Sequence, residues 1–428
     1  MSREWRLGVA GLGVVGGGLV KWLQERPGFA PGGDTVRLVG VTARDPDKPR
    51  GLDLDGVAWF DHPLSLAVSP EVDLFVELIG GAEGVARAAV SAALKVGKPV
   101  VTANKALIAA HGLELAALAE RTGASLHFEA AVMGGVPAVK VLREGLVGDD
   151  VASVAGILNG TCNFILTEME RTERSFAVVL AEAQRLGYAE ADPTTDVGGF
   201  DAAHKIVILA AIAFGGAPNL AAAEVEGIQA VELIDIRLAR DLGYRIKLIA
   251  EATGSRRGAS VRVAPALVPL NHPLAQAGGA LNALFVEGQR VGRLYLQGAG
   301  AGAGPTAAAV AADIADVIGA GRRPVFGRPA VELRPLPALE RDRRIDKAFL
   351  RLMVRDEPGT IAAISEALAK AGVSIDSFLQ RPVEDSGHVP IVLITHPATE
   401  TAIDDAVTHI ASIPAVIERP RAIRVART

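Results

Sequence analysis

Between Gly187 and Lys205 the chain reads GYAEADPTTDVGGFDAAHK and sets Glu190, Asp192, Asp196, Asp201 and Lys205 beside a strongly apolar run, IVILAAIAF. Charged groups against an apolar wall cost free energy unless they are paired or used. Gly198 and Gly199 precede a helix expected to start near Phe200, which puts Asp201 and Lys205 four apart on one face. A lysine at such an edge can have its pKa lowered by desolvation, or its charge held by neighbouring acids. In either case it can exchange a proton with an oxygen. The same residues also fit a plainer alternative: a helix first turn with a solvated acid cluster and an i,i+4 ion pair.

The N-terminus supplies the context. Residues 6–10 (RLGVA) read as a short buried strand that runs into Gly11-Leu12-Gly13-Val14-Val15-Gly16, and residues 17–24 read as a helix with an apolar face. Strand, glycine turn and helix in that order are what a dinucleotide-binding turn needs. Gly11 permits the tight turn, Gly13 lets backbone approach a pyrophosphate, and Gly16 allows the helix to pack closely on the strand. The pyrophosphate would sit on the free N–H groups of the helix N-terminus. The second strand ends in Ala43-Arg44-Asp45, with no acid where one would hold a ribose 2′-OH. Arg44 could meet a 2′-phosphate, so the expected cofactor is NADP, with NAD as the alternative; a plain surface arginine fits equally. A later strand ends in Thr102-Ala103-Asn104-Lys105, a lysine placed for phosphate contact, substrate contact or proton transfer. Glu129 begins EAAVMGGVP, whose irregular backbone could point carbonyls at a hard cation such as Na⁺, or could be only a hinge loop.

The 428 residues allow two or three domains, and half of them are hydrophobic, so large cores can be built. The net charge is −5 and no long basic stripe is present, which argues against a nucleic-acid partner. Cys162 is the single cysteine, so an intrachain disulfide is excluded and a zinc cluster is not expected. The chain enters a charged strand almost at once, with no signal-peptide pattern, and the apolar run at 206–214 is too short to span a bilayer. A cytoplasmic protein with no membrane partner is expected.

Candidate strands at 7–10, 36–42, 74–78, 99–102 and 125–128 alternate with helical stretches such as 84–96 and 113–121, the rhythm of a parallel doubly wound α/β sheet. Residues 151–158 and 260–267 read as strands of a second region. A glycine-rich loop at 298–304 precedes a helix at 306–319 that should return to the first domain, and a stretch rich in Pro and Arg at 322–344 reads as a linker. From Ala348 the pattern restarts: a strand (AFLRLMVR), a DEPG turn, a helix at 360–371, strands at 373–379 and 390–395, a helix at 400–412 and a strand at 422–425. That βαββαβ order makes a small ferredoxin-like domain.

Taken together, GLGVVG, VTANKALIA, EAAVMGGVPAVK, GILNGTCNFIL, AEAQRLGYAEADPTTDVGGFDAAHKIVILA and GAGAGPTAAAVAADI resemble the homoserine dehydrogenases over residues 5 to 325. The C-terminal LRLMVRDEPGTIAAISEALAKAGVSI resembles an ACT domain, a small module that often binds amino acids between paired copies. The resemblance implies a Rossmann-type domain at 1–135 completed by 298–325, an α+β substrate-binding and dimerisation domain at 136–297, a linker at 326–345 and an ACT-like regulatory domain at 346–428. It implies the monofunctional form, with reversible NAD(P)H-dependent reduction of L-aspartate 4-semialdehyde to L-homoserine, on the way to threonine, methionine and isoleucine. Lys205 then aligns with the proton donor and Lys105 with a second lysine near cofactor and substrate. Glu190, Asp196 and Asp201 align with acids that contact the substrate or support the lysine, and Gly160 and Thr161 with a loop lining the site. Glu129 with the carbonyls of Val132, Gly134 and Val136 aligns with a monovalent-cation site, and Gly302 with the loop that closes on the nicotinamide. L-Threonine is the expected effector, near 356–359 and 372–376, and a homodimer or homotetramer the expected assembly.

Two other functions fit these residues less well. One is a sensor that binds nucleotide or amino acid without turnover. The other is a semialdehyde dehydrogenase working through a thioester on Cys162, which no histidine accompanies in sequence.

Overall fold

The computed structural model describes residues 3–29, 31–319, 321–340, 344–380 and 388–427. Positions 341–343 of the expected linker lie outside them.

The first sheet is parallel throughout. Its strands are β1 (Glu4–Ala10), β2 (Thr35–Thr42), β3 (Ala58–Trp59), β4 (Leu74–Glu77), β5 (Val100–Thr102) and β6 (Leu126–His127), in the order β3-β2-β1-β4-β5-β6. The four residues of β4, LFVE, are all buried, as expected of a central strand covered on both faces. The order reverses between β1 and β4, and ligands of open α/β sheets bind at such a switch point. The helix Ala303–Gly319 returns to pack on the helix Val14–Glu25, so closely that a Cβ on Gly18 would lie 2.8 Å from the Ala303 carbonyl oxygen.

The second sheet comprises β7 (Val151–Ile157), β8 (Ala223–Val225), β9 (Tyr244–Ser255), β10 (Gly258–Pro269), β11 (Leu281–Gly288) and β12 (Gly292–Ala299). Its main path runs β12-β11-β7-β9-β10, with β8 also on β10. The helix Phe200–Phe214 packs on β7, β9 and β10 on one side and on the helix Lys105–Thr122 on the other. It is therefore the wall between the two sheets, which explains why its apolar run is buried almost all round. Gly199 at its start (φ +85°) and Gly215 at its end (φ +66°) adopt left-handed conformations that side chains disfavour.

The C-terminal unit contributes β13 (Ile345–Asp346), β14 (Ala348–Arg355), β15 (Ile375–Gln380), β16 (His388–Thr395), β17 (Ala398–Thr399) and β18 (Arg421–Val425). β13 pairs with β17 apart from the large sheets. The other four follow the order β18-β14-β16-β15, with helices Thr360–Lys370 and Glu400–Ala411 as the crossovers, so the ferredoxin-like expectation holds. What sequence did not reveal is a junction: β18 pairs in parallel with β10 (Ala266↔Arg424, Leu267↔Val425), making one ten-stranded sheet across both units. Arg351 of β14 reinforces it by bonding Asp235, Glu232 and Glu418. The stretch expected as a linker also packs down, burying Val325, Phe326, Leu333 and Leu336. Among the described residues no helix is long and apolar enough to cross a membrane.

Candidate active site

Three helix starts bring the charged residues together. Asn104 caps the helix Lys105–Thr122 by accepting from the Leu107 N–H (3.1 Å), so Lys105 is the first residue of that helix and not part of a loop after β5. Asn159 caps the helix Gly160–Thr172 by accepting from the Cys162 N–H (2.8 Å). Gly199 begins the helix that carries Asp201 and Lys205.

The centre of the cluster is the Asp201 carboxylate. Its Oδ2 is 2.7 Å from the Lys205 Nζ and its Oδ1 3.0 Å from the Lys105 Nζ. Lys205 also donates to the Leu158 carbonyl (2.7 Å). The Asn159 Nδ2 donates to Asp196 (2.8 Å) and to Asp201 (2.9 Å), tying the acids to one another. Lys205 is only 8% exposed, whereas Lys105 opens to the cleft.

The electrostatics follow from this placement. Burial disfavours the Asp201 charge, but the two ammonium groups overcome it and hold the carboxyl far below its usual range. Lys105, beside Asp201, has its pKa raised and stays charged. Lys205 is pulled down from the ordinary lysine value of 10.5, because desolvation outweighs the attraction of Asp201. Asp196 is pushed up by burial and by the Asp201 charge. Two lysines on one carboxylate are thus driven in opposite directions, a pattern that separates an electrostatic role from a proton-transfer role.

The cleft of about 820 Å³ around this cluster is lined by Val14 and Val15 of the glycine turn, Lys105, Gly134, Gly160, Thr161, Glu190, Asp196, Asp201, Lys205 and Gly302. Val14 is 71% exposed, at the helix start where a dinucleotide would cover it. Glu190 is exposed, on a loop held by Gln184, whose amide donates to the Glu190 carbonyl (3.1 Å), and by Thr161, whose hydroxyl donates to the Tyr188 carbonyl (2.7 Å). Tyr188 stacks on Phe164 with ring centroids 4.5 Å apart.

An adjoining cleft of about 830 Å³ is lined by Gly11, Leu12, Gly13 and Arg44, with Lys48 and Arg50 nearby. Gly11 (φ +100°) lies under the Leu78 carbonyl oxygen, 2.4 Å from where a Cβ would be, and a Cβ on Gly16 would be 1.9 Å from the Gly11 carbonyl oxygen. Gly13 faces open space, as a backbone approached by phosphate should. The second and third cations at the Arg44 cleft, Lys48 and Arg50, were missed in sequence because they follow the strand by several residues.

Other expected residues sit apart. Thr102, read as a cofactor contact, is fully buried; its hydroxyl donates to Glu77 (2.6 Å) and accepts from the Asn104 N–H (3.0 Å), so it braces the strand ends instead. Glu77, unremarked in sequence, also accepts from the Ile79 and Gly80 N–H groups (2.7 and 2.9 Å) and shapes the turn after β4. The buried Glu129 carboxylate accepts from the Val139 and Lys140 N–H groups (3.0 and 2.7 Å), and burial beside Asp313 pushes its pKa up to about 7. Val132 and Val136 are buried, and the Val136 carbonyl accepts from the Ala138 N–H (2.7 Å). Cys162 is buried, donates to the Asp196 carbonyl (3.2 Å), and has its pKa raised well above the ordinary thiol value by desolvation and neighbouring carboxylates. A thiol so placed is inert as a nucleophile, which removes the thioester rival.

Comparisons with known proteins match all three units of the chain. Family patterns described as "Homoserine dehydrogenase, NAD binding domain", "Homoserine dehydrogenase" and "ACT domain" match residues 11–129, 137–315 and 348–415. The homoserine dehydrogenase of Neisseria gonorrhoeae is 41% identical over 422 residues, covering 97% of this chain and 96% of the relative. That of Pseudomonas aeruginosa is 41% identical over 420 residues, 96% of each. Among solved structures, a homoserine dehydrogenase from Thiobacillus denitrificans, 40% identical, matches 99% of both chains with a TM-score of 0.93. A hyperthermophilic archaeal homoserine dehydrogenase in complex with NADPH, 27% identical, matches 74% of this chain and 98% of that one with a TM-score of 0.64.

Proposed function

We propose, from the premise that this chain belongs to the homoserine dehydrogenase family, that Lys205 exchanges the proton with the reacting oxygen while Lys105 holds the charge that develops there. The reaction is reversible NAD(P)-dependent oxidoreduction at the CH–OH group of L-homoserine, with L-aspartate 4-semialdehyde as the oxidised partner.

NAD(P), when bound, supplies or accepts the hydride. In the reductive direction the aldehyde oxygen gains negative charge, and preorganised cations aimed at it lower the barrier. Lys105, kept charged by Asp201, serves that need. Lys205, with its lowered proton affinity, can release a proton to the oxygen and recover one in the reverse direction. The observation that carries this reading is the single Asp201 carboxylate between the two ammonium groups. Glu190, exposed in the same cleft, anchors the substrate ammonium through a charge-assisted bond. Asp196 supports Asp201 through Asn159, and Gly160 lines the substrate side.

The cluster of Arg44, Lys48 and Arg50 favours NADP over NAD, as does the NADPH held by the archaeal relative. A monovalent cation, with Na⁺ the expected ion, would be held by carbonyls of Val132, Gly134 and Val136. The Glu129 carboxylate accepts one backbone N–H at each oxygen, which leaves a lone pair on each for the ion, and no step is assigned to it. The ACT domain points to an amino-acid effector, for which L-threonine at paired ACT domains of a homodimer or homotetramer is the specific proposal.

The test follows nicotinamide absorbance with L-homoserine and NADP⁺ or NAD⁺ in parallel. Homoserine-dependent turnover that is faster with NADP⁺ and absent with unrelated hydroxy acids is expected. A folded protein that binds NADP⁺ without turnover would favour a sensor instead.

A further inference from the structure

One buried polar side chain in the wall of the cleft is unexplained by packing. Asn282, the second residue of β11, is 1% exposed. Its Nδ2 donates to the Leu158 carbonyl at 3.1 Å, the same carbonyl oxygen that accepts from the Lys205 Nζ at 2.7 Å. The amide orientation is fixed by that bond, since the reversed amide would set oxygen against oxygen. The Asn282 Oδ1 is left buried with no hydrogen-bond partner. A leucine would fill the same space without a stranded acceptor, so an asparagine here is costly unless its donor matters.

The surroundings are built to keep the amide in place. A Cβ on Gly300 would lie 2.1–2.3 Å from the Asn282 amide atoms, so only glycine lets the 299–302 loop pass over it. The strand start is held from behind by Asn163, whose Nδ2 donates to the Ala277 and Leu281 carbonyls (both 3.1 Å), and Asn163 in turn accepts from the buried Lys247 Nζ (2.8 Å).

We propose that Asn282 is a positioning residue for Lys205: it fixes the Leu158 carbonyl that holds the ammonium, and so helps set the pH at which Lys205 gives up its proton. A carbonyl oxygen shared between two donors accepts less strongly from each, and a weaker bond to the ammonium favours the neutral amine. The charged and titratable groups that also face Lys205 are Asp201 and His204 on its own helix, Lys105, Asp196 and the Cys162 thiol. This inference rests on the proposed proton-transfer role of Lys205.

The experiment compares Asn282→Leu with the parent enzyme in pH profiles of homoserine oxidation and in thermal unfolding. The expected result is a melting temperature held or raised, an unchanged KM for NADP⁺, and a pH midpoint displaced upward by about half a unit or more, so that kcat below the midpoint falls about threefold or more. Asn282→Ala, which removes the donor without adding a charge, should also move the midpoint upward and stands in if the leucine variant folds poorly. An unmoved midpoint in a folded variant of either kind overturns the proposal. A third profile on Lys205→Met separates the two levels. If the pH limb survives without Lys205, the proton-transfer reading itself has failed, whereas loss of the limb there with no shift at Asn282 condemns the positioning role alone.

Discussion

Asp201 and Lys205 stand one helical turn apart, meet at 2.7 Å, and are both buried in the wall between the two sheets. Removing the carboxylate from such a pair leaves a buried cation uncompensated, at a cost of about 3–5 kcal/mol. Asp201→Asn should therefore lower the melting temperature markedly. It should also lower the proton affinity of Lys205 further, because the attracting charge is gone, and move the pH midpoint of homoserine oxidation downward. A midpoint that rises would show that Asp201 does not govern Lys205.

The lowered pKa of Lys205 fixes the sign of the pH dependence. Oxidation needs the neutral amine as base, so its kcat should rise with pH and level off at a midpoint below the ordinary lysine value of 10.5. Reduction needs the ammonium as acid, so its kcat should fall over the same interval. Profiles recorded in both directions check this, and limbs of the same sign would refute it.

Glu190 is on the surface of the cleft and bonds its loop through the backbone, which leaves its carboxylate available to an ammonium. Glu190→Gln should raise the KM for homoserine about tenfold or more, the effect of losing roughly 1.4 kcal/mol of binding, with the KM for NADP⁺ unchanged. An unaltered homoserine KM in steady-state kinetics would reject the anchoring role.

Arg44 lines the cleft beside the glycine turn, with Lys48 and Arg50. Arg44→Ala should raise the KM for NADP⁺ about tenfold and leave that for NAD⁺ nearly unchanged, because only NADP⁺ carries a 2′-phosphate for the arginine to bond. Equal changes with both cofactors would mean that Arg44 does not read the phosphate.

The parts of this site that sequence disclosed are those governed by local geometry. Gly11 and Gly16 leave no room for side chains at a tight turn, Asp201 and Lys205 share a face by helical spacing, and the ACT strands alternate with amphipathic helices at short range. The parts it hid depend on pairings between distant segments. Lys105 reaches Asp201 across 96 positions (201 − 105), and Asn159 joins acids on two other elements. Nothing in the periodicity of 421–425 announces that this strand will extend the sheet of β10. Thr102 misled because a hydroxyl at a strand end looks available until its partner, the buried Glu77, is seen.

The most direct test of the account is the rate of homoserine oxidation by Lys205→Met, with NADP⁺ affinity measured on the same preparation. The account predicts a kcat lowered by about 10²–10⁴-fold, the usual contribution of a positioned acid or base, with NADP⁺ bound as tightly as before. A kcat within about tenfold of the parent, roughly 1.4 kcal/mol of barrier, would contradict it.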